Sequence, residues 1–325
     1  MHIILIKAFN KKPWRSHETY RRIESALNAE FETVSVVIAE NGTQLKSELM
    51  KYSGKSSLFV FNIAEFTNGT GAAFIPRILE ELGLPHLGSS CESILNGLNK
   101  AKAKELAMET GVPTPDFFLV NEFSRGWTKQ AEEIGYPVII KPNLGGGHIG
   151  IEDDSIVYNN KQFIETLKRS LQNFNGPMLV EKYITEENMR EFSISIIGNE
   201  TRIVLPLEID YANMQVQTKI LSGTTTQKDL ERVKLFRGEK KLKKEICNMA
   251  TLTYDALKGV DYCRVDLRMN NTGLYLLEIN IMPGLGPLSF LPFAAKEIMG
   301  LDYPHLISLL TRESIKKFDC SCKHR

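Results

Sequence analysis

The stretch CRVDLRMNNTGLYLLEIN, residues 263–280, restricts the chain more than any other part of it. Two runs with the period-2 alternation of strands flank Asn271-Thr272-Gly273, which suits a three-residue hairpin loop with the glycine in the left-handed position. Centring the register on Thr272 sets Asp266 opposite Glu278 and Arg264 opposite Asn280. Alternation then turns Val265, Leu267, Leu277 and Ile279 toward a core and Arg264, Asp266, Glu278 and Asn280 to the other face. Carboxylates directly across a strand pair are destabilising unless something compensates them. A divalent cation does so economically, because Asp266, Glu278 and the amide oxygen of Asn280 are hard oxygen ligands suited to Mg2+, with water and substrate phosphates completing the shell. Arg264 beside such a site can stabilise a developing oxyanion; alternatively it neutralises the acids without a metal.

VIIKPNLGGGHIG, residues 138–150, contains G-x-G-x-x-G at Gly145, Gly147 and Gly150. A dinucleotide fingerprint needs those glycines between a strand and a helix, because the pyrophosphate rests on the helix's first amides. Here IEDDSIVYNN follows, short, β-branched and acidic, so the stretch joins two strands. Lys141, before Pro142, can meet a phosphate as a point charge, and the glycines let backbone N–H groups approach phosphate oxygens. Such a hairpin can fold over a triphosphate like a lid; an ordinary turn after a strand-end lysine is the plainer alternative.

Residues 1 to about 90 alternate short apolar runs (HIILIKAF, TVSVVIA, SLFVFNI) with amphipathic ones (ETYRRIESALNAEF, TQLKSELMKY, FIPRILEELG). That alternation predicts βαβ units on a parallel sheet, a small Rossmann-like domain in an α/β chain that also carries α+β elements. ILNGLNKAKAKELAMETGVPTP reads as a helix stopped by Gly111 and Pro113, and REFSISIIGN and TRIVLPLEI as antiparallel strands. The polar run DYANMQVQTKILSGTTTQKDLERVKLFRGEK has no clear period, as expected of a functional loop. The expected domains are residues 1–92, a central unit 93–176 with the glycine stretch, and 177–325 with the hairpin.

Forty basic and 39 acidic residues leave a net charge of +1, which disfavours a nucleic-acid partner. No run approaches a membrane span, and the opening MHIILIKAF is too short for a signal segment, so a cytoplasmic protein is expected. Five scattered cysteines fit reduced thiols, and the tail CSCKHR lacks a fourth metal ligand.

In order and spacing GLPHLGSS, LNKAKAKELAMETGVPTP, PVIIKPNLGGGHIG, MLVEKYI, REFSI, CRVDL and LLEINIMPGLGPLSFLP resemble the ATP-grasp superfamily, most closely its D-alanyl-D-alanine ligase-like branch. The resemblance implies an ATP-grasp fold with an N-terminal Rossmann-like domain and an ATP- and Mg2+-dependent (or Mn2+-dependent) ligase that joins small carboxylate and amine substrates, amino acids above all, through an acyl phosphate. It assigns Lys100, Lys141 and the glycine stretch, Gly146, Gly147 and His148 included, to the phosphates. Glu181 with the Lys182, Tyr183 and Ile184 segment goes to the adenine, Glu191 to the ribose, and Asp266, Glu278 and Asn280 to the metal. Arg264 falls near the reacting carbonyl, Ser289 on the second amino acid's carboxylate, Lys219 in the closing loop, and Glu18 near the first substrate's amino group. Homodimers are common in the family.

The chain also departs from the family. FNIAEFTNGTGAAF stands where the ligases carry H-G-x-x-G-E-D-G, Gly147 and His148 stand where serines are usual, and Ile220 stands in place of the loop tyrosine. Ligation of some other amino-acid pair, D-alanyl-D-alanine synthesis and a non-catalytic ATP-binding module therefore all stay open. Glu278→Gln is expected to cripple turnover and leave the fold intact. ADP release beside a circular-dichroism melt checks this, and near-normal turnover would remove the metal assignment.

Overall fold

The computed structural model describes residues 1–7, 15–65, 74–214, 216, 218–227 and 231–321. Most of the departing block after Glu65, and Cys322 of the tail, lie outside the described residues.

The N-terminal unit runs β1 (His2–Lys7), α1 (His17–Glu30), β2 (Thr33–Ile38), α2 (Gly42–Met50), β3 (Leu58–Asn62) and α3 (Phe74–Glu81). Its three strands form the expected parallel sheet in the order β2-β1-β3. Ile3, Ile4, Leu5 and Ile6 of β1 are all buried, because helices cover both faces of a parallel sheet and a continuous apolar run fits its middle strand.

The chain continues with α4 (Cys91–Leu98), α5 (Lys100–Glu109), β4 (Phe117–Val120), α6 (Trp127–Ile134), β5 (Val138–Pro142), β6 (Ile156–Val157), α7 (Asn160–Asn173) and β7 (Met178–Lys182). Strands β4-β7-β5-β6 make an antiparallel sheet backed by α6 and α7. Two expectations are corrected here. β7 pairs with β4 and β5, so the strand belongs with the central sheet and not with the unit expected to start at residue 177. The single helix expected over 94–110 is two, broken at Asn99 (ψ 97°), whose side chain caps Lys102 N–H. At the break the backbone turns to the glycine stretch: Lys100 N–H donates to Asn143 O at 3.0 Å and Gly145 N–H to Leu98 O at 3.1 Å. Gly97 lets α4 pack closely on Ile281, since a Cβ there would lie 2.7 Å from Ile281 Cγ1.

The rest comprises β8 (Arg190–Ile197), β9 (Ile203–Ile209), α8 (Gly223–Gln227), β10 (Val233–Leu235), α9 (Lys240–Ala256), β11 (Tyr262–Met269), β12 (Leu274–Asn280), α10 (Phe290–Met299) and α11 (Tyr303–Ser321). The antiparallel sheet β10-β9-β8-β11-β12 packs one face on α4, α5 and α9 and joins the N-terminal unit through a core shared with α1, α10 and α11. Among the described residues no helix is long and apolar enough to cross a membrane.

Asp261, 1% exposed and with φ 66°, ties these parts together. Its carboxylate accepts from Gly88 N–H at 2.7 Å, Asn199 Nδ2 at 2.9 Å, Lys317 Nζ at 2.7 Å and Ser314 Oγ. Removing it strands Lys317, so Asp261→Ala is expected to cost about 3–5 kcal/mol in urea unfolding at neutral pH; a loss below about 1 kcal/mol would reject this role.

Candidate active site

The hairpin places the two acids as expected: Arg264 pairs with Asn280 and Asp266 with Glu278. The loop differs. It holds four residues, Asn270–Gly273, closed by the Met269–Leu274 pair, and Asn270 Oδ1 takes the Thr272 and Gly273 N–H groups at 3.0 and 3.2 Å. Such an asparagine turn needs no left-handed residue, and Gly273 is not left-handed. A bulge between Asp266 and Leu267 absorbs the extra residue. Leu276 therefore takes the core position expected for Leu277, which instead lines a pocket beside Glu278.

Asp266 accepts two hydrogen bonds from Arg264 Nε, at 3.0 and 3.1 Å, one from Arg264 Nη2 at 2.8 Å and one from Ser193 Oγ at 2.8 Å. Burial pushes its pKa up, and Arg264 opposes the rise. Burial would also raise Glu278, but Lys100, His148, Lys141 and Arg264 outweigh it and hold that carboxyl at about 2. Asn280 Nδ2 lies 3.2 Å from both acids. Two carboxylates and an amide at one strand step fit a hard divalent cation that keeps water and phosphate ligands. Among the described residues no set of three or more His, Cys, Asp or Glu side chains converges for a metal.

The glycine stretch links β5 to β6 as expected. Gly150 has φ 77°, and a Cβ there would lie 2.6 Å from Phe174 Cζ, so the turn is closed to other residues. Lys100 Nζ donates to Gly145 O at 2.6 Å, which puts the lysine and the stretch at one mouth. His148 Nδ1 lies 3.0 Å from Thr226 Oγ1 and 3.4 Å from Glu231, with Nε2 4.0 Å from Glu278. Gly223 N–H donates to Ile151 O at 2.9 Å, so the polar run is latched onto the glycine stretch.

On the central sheet, Glu181 is buried between Lys141 Nζ at 2.9 Å and Lys104 Nζ at 2.5 Å. Burial lowers Lys104 to about 8, with Glu181 resisting the fall. Lys104 escaped the sequence reading although it lies one helical turn after Lys100, a spacing that puts both on one face. Lys182 Nζ bonds Gly135 and Tyr136 carbonyls at 2.8 and 3.1 Å, and Tyr183 OH donates to Lys219 O at 2.9 Å. Lys182, Tyr183, Ile184, Glu191, Ile220 and Leu277 line a narrow pocket of about 60 Å³. Glu191 is ion-paired there with Arg268, which the strand alternation through Arg264 and Asp266 places on the same face although no sequence motif marks it.

A larger cavity of about 900 Å³ opens on the other side of Glu278. Arg264, Asn280, Lys100, Gly146, Gly147, Glu18 and Ser289 border it. The Ser289 hydroxyl begins α10 without a capping bond. Glu18 is held at about 2 by Arg21 and Arg22. Lys219 is not brought to either space, since its ammonium donates to Glu187 O at 3.1 Å on the exposed side.

A family model described as the D-Ala D-Ala ligase C-terminus matches residues 106–312. A D-alanine–D-alanine ligase A of Bacillus cereus is 29% identical over 239 residues, 73% of this chain and 74% of that protein. A Pediococcus pentosaceus D-alanine–D-alanine ligase is 28% identical and aligns with 82% of this chain and 74% of its own length. The crystal structure of a Bacillus anthracis D-alanine–D-alanine ligase complexed with ATP superposes with a TM-score of 0.75 at 21% identity, covering 97% of this chain and 98% of that one.

Burial works against the Glu181 charge, but Lys104 and Lys141 keep its carboxyl below the usual range of about 4.5. The stability it contributes is therefore present above that value and is lost as pH falls through the lower folded pKa. The urea midpoint of the native chain should drop over this acid range, and Glu181→Gln should flatten the drop; an equally steep fall in the variant would contradict the pairing.

Proposed function

The chain belongs to the D-alanine–D-alanine ligase family of ATP-grasp enzymes, and from that premise we propose the substrates, metal and residue roles of its reaction. It is an ATP-dependent ligase that forms a C–N bond. The substrates proposed are two amino acids. The carboxylate of the first takes the γ-phosphoryl group and ADP leaves; the amine of the second then attacks the acyl carbon. An amide forms, phosphate departs with the acyl–oxygen bond, and the amine's proton passes to solvent.

The observation that carries this reading is Glu278, which stands between the narrow pocket and the large cavity with Lys100, Lys141, His148 and Arg264 around it. That is where the γ-phosphoryl group of a nucleotide seated in the pocket would meet a carboxylate in the cavity. Lys100, Lys141 and the amides of the glycine stretch would hold phosphate oxygens, charge stabilisation being the main demand of phosphoryl transfer. Lys182 to Ile184 and Glu191 would hold the nucleoside. Asp266, Glu278 and Asn280 would hold Mg2+, with Mn2+ as a substitute, to supply Lewis-acid charge neutralisation. Arg264 would face the acyl oxygen, Ser289 the second carboxylate and Glu18 the first ammonium. Assembly as a homodimer in the cytoplasm completes the proposal.

A narrower reading, D-alanine at both positions, is supported by what the relatives are named for. Against it stand His148 and Ile220, which alter the walls of the two spaces. ADP release with Mg2+-ATP against single and paired D- and L-amino acids, followed by product mass, separates the readings. Release with D-alanine alone supports the narrower one, and release only with another pair supports the broader. Silence with every pair, while the chain still binds ATP, would overturn both.

A further inference from the structure

Arg268 is 3% exposed and stands directly across from Glu191 in the β11–β8 register. Its Nε donates to Glu191 Oε2 at 2.8 Å, and Nη2 reaches the same oxygen. Tyr211 OH donates to Oε2 as well, at 2.9 Å. Among the described residues Oε2 takes all the hydrogen bonds donated to this carboxylate, and Oε1 has none. Glu191 lines the narrow pocket, so it is held at one oxygen and offers the other.

Beyond Glu191, Arg268 donates to the Tyr211 hydroxyl, from Nη2 at 3.3 Å, and to backbone. Nη1 donates to Ile184 O at 3.3 Å and Nη2 to Lys219 O at 3.0 Å, and the guanidinium lies 5.1 Å from the Tyr183 ring centre. One planar fork therefore ties the segment after β7, the Glu191 carboxylate and the loop that carries Ile220 and Leu221 over the pocket. A lysine could not do this, because its compact ammonium lacks the fork's fixed spread of donors.

We propose that Arg268 is a positioning residue for the nucleoside half of ATP: it aims Glu191 Oε1 at the sugar hydroxyls and pins the loop that roofs the pocket. This rests on the reading of the narrow pocket as the nucleoside site. Through Glu191 it makes ATP recognition depend on the sugar hydroxyls. Loss of the fork should therefore fall on nucleotide binding and leave the amino-acid substrates alone.

The test compares equilibrium binding of ATP and 2′,3′-dideoxy-ATP by the native chain, Arg268→Met and Arg268→Lys, with KM values for ATP and for the amino acids. Circular dichroism checks the fold, and Arg268→Lys, which keeps a cation beside Glu191, serves if the methionine variant does not fold. The native chain should prefer ATP over the dideoxy nucleotide by roughly tenfold or more, as hydrogen bonds to a charged group imply. The variants should lose most of that preference and raise KM for ATP by a similar factor, with KM for the amino acids within about twofold. A native chain that does not distinguish the two nucleotides would overturn the ribose role of Glu191 and this inference with it. A native preference kept intact in both variants would overturn the inference alone.

Discussion

Buried carboxylates at the seam between two sheets set the terms for the rest of this molecule. Asp266, Glu278, Glu181 and Glu191 all lie there, and an isolated buried anion costs several kcal/mol. Each is answered by a cation from one of three elements: Arg264 and Arg268 in β11, Lys100 and Lys104 in α5, and Lys141 in β5. Asp266, Glu191 and Glu181 find cations in their own sheet, whereas Glu278 depends on Lys100, Lys141 and His148 from the central unit, so its charge ties the central and C-terminal parts together.

The same compensation places the chemistry. Glu278 is kept ionised because cations crowd it, and those cations are also the groups an incoming triphosphate would meet. The break between α4 and α5 serves this directly, since it turns Lys100 onto the glycine stretch where an unbroken helix would carry it along its own face. His148, Thr226 and Glu231 then hold the polar run against that stretch, so the two pockets share one wall.

Sequence legibility followed the range of the interactions involved. The parallel N-terminal sheet and the acid pairing of the hairpin were readable because period-2 alternation is local. The acid register survived a misread loop only because the bulge after Asp266 cancelled the extra turn residue, and Leu277 paid for it by leaving the core. The helix break at Asn99 carried no local signal strong enough to stand out, since its cause is Asn143 and Gly145 more than 40 residues away. Lys104 and Arg268 were legible in principle, by helical turn and by strand alternation, but a charged residue on such a face is usually solvated.

By itself the sequence determined the strand and helix alternation of the N-terminal unit, the shared face of Arg264, Asp266, Glu278 and Asn280, and the position of the glycine stretch between strands, since all follow from backbone periodicity and side-chain size, whereas α8 and β10 inside the polar run, expected as a loop, carried no period to be read. Only the tertiary structure decided that β7 joins the central sheet, that Glu181 and Glu191 are each locked by buried cations, and that Lys219 points away from the cavity. Those outcomes depend on which groups distant in sequence meet on folding, where each buried carboxylate must find its partner.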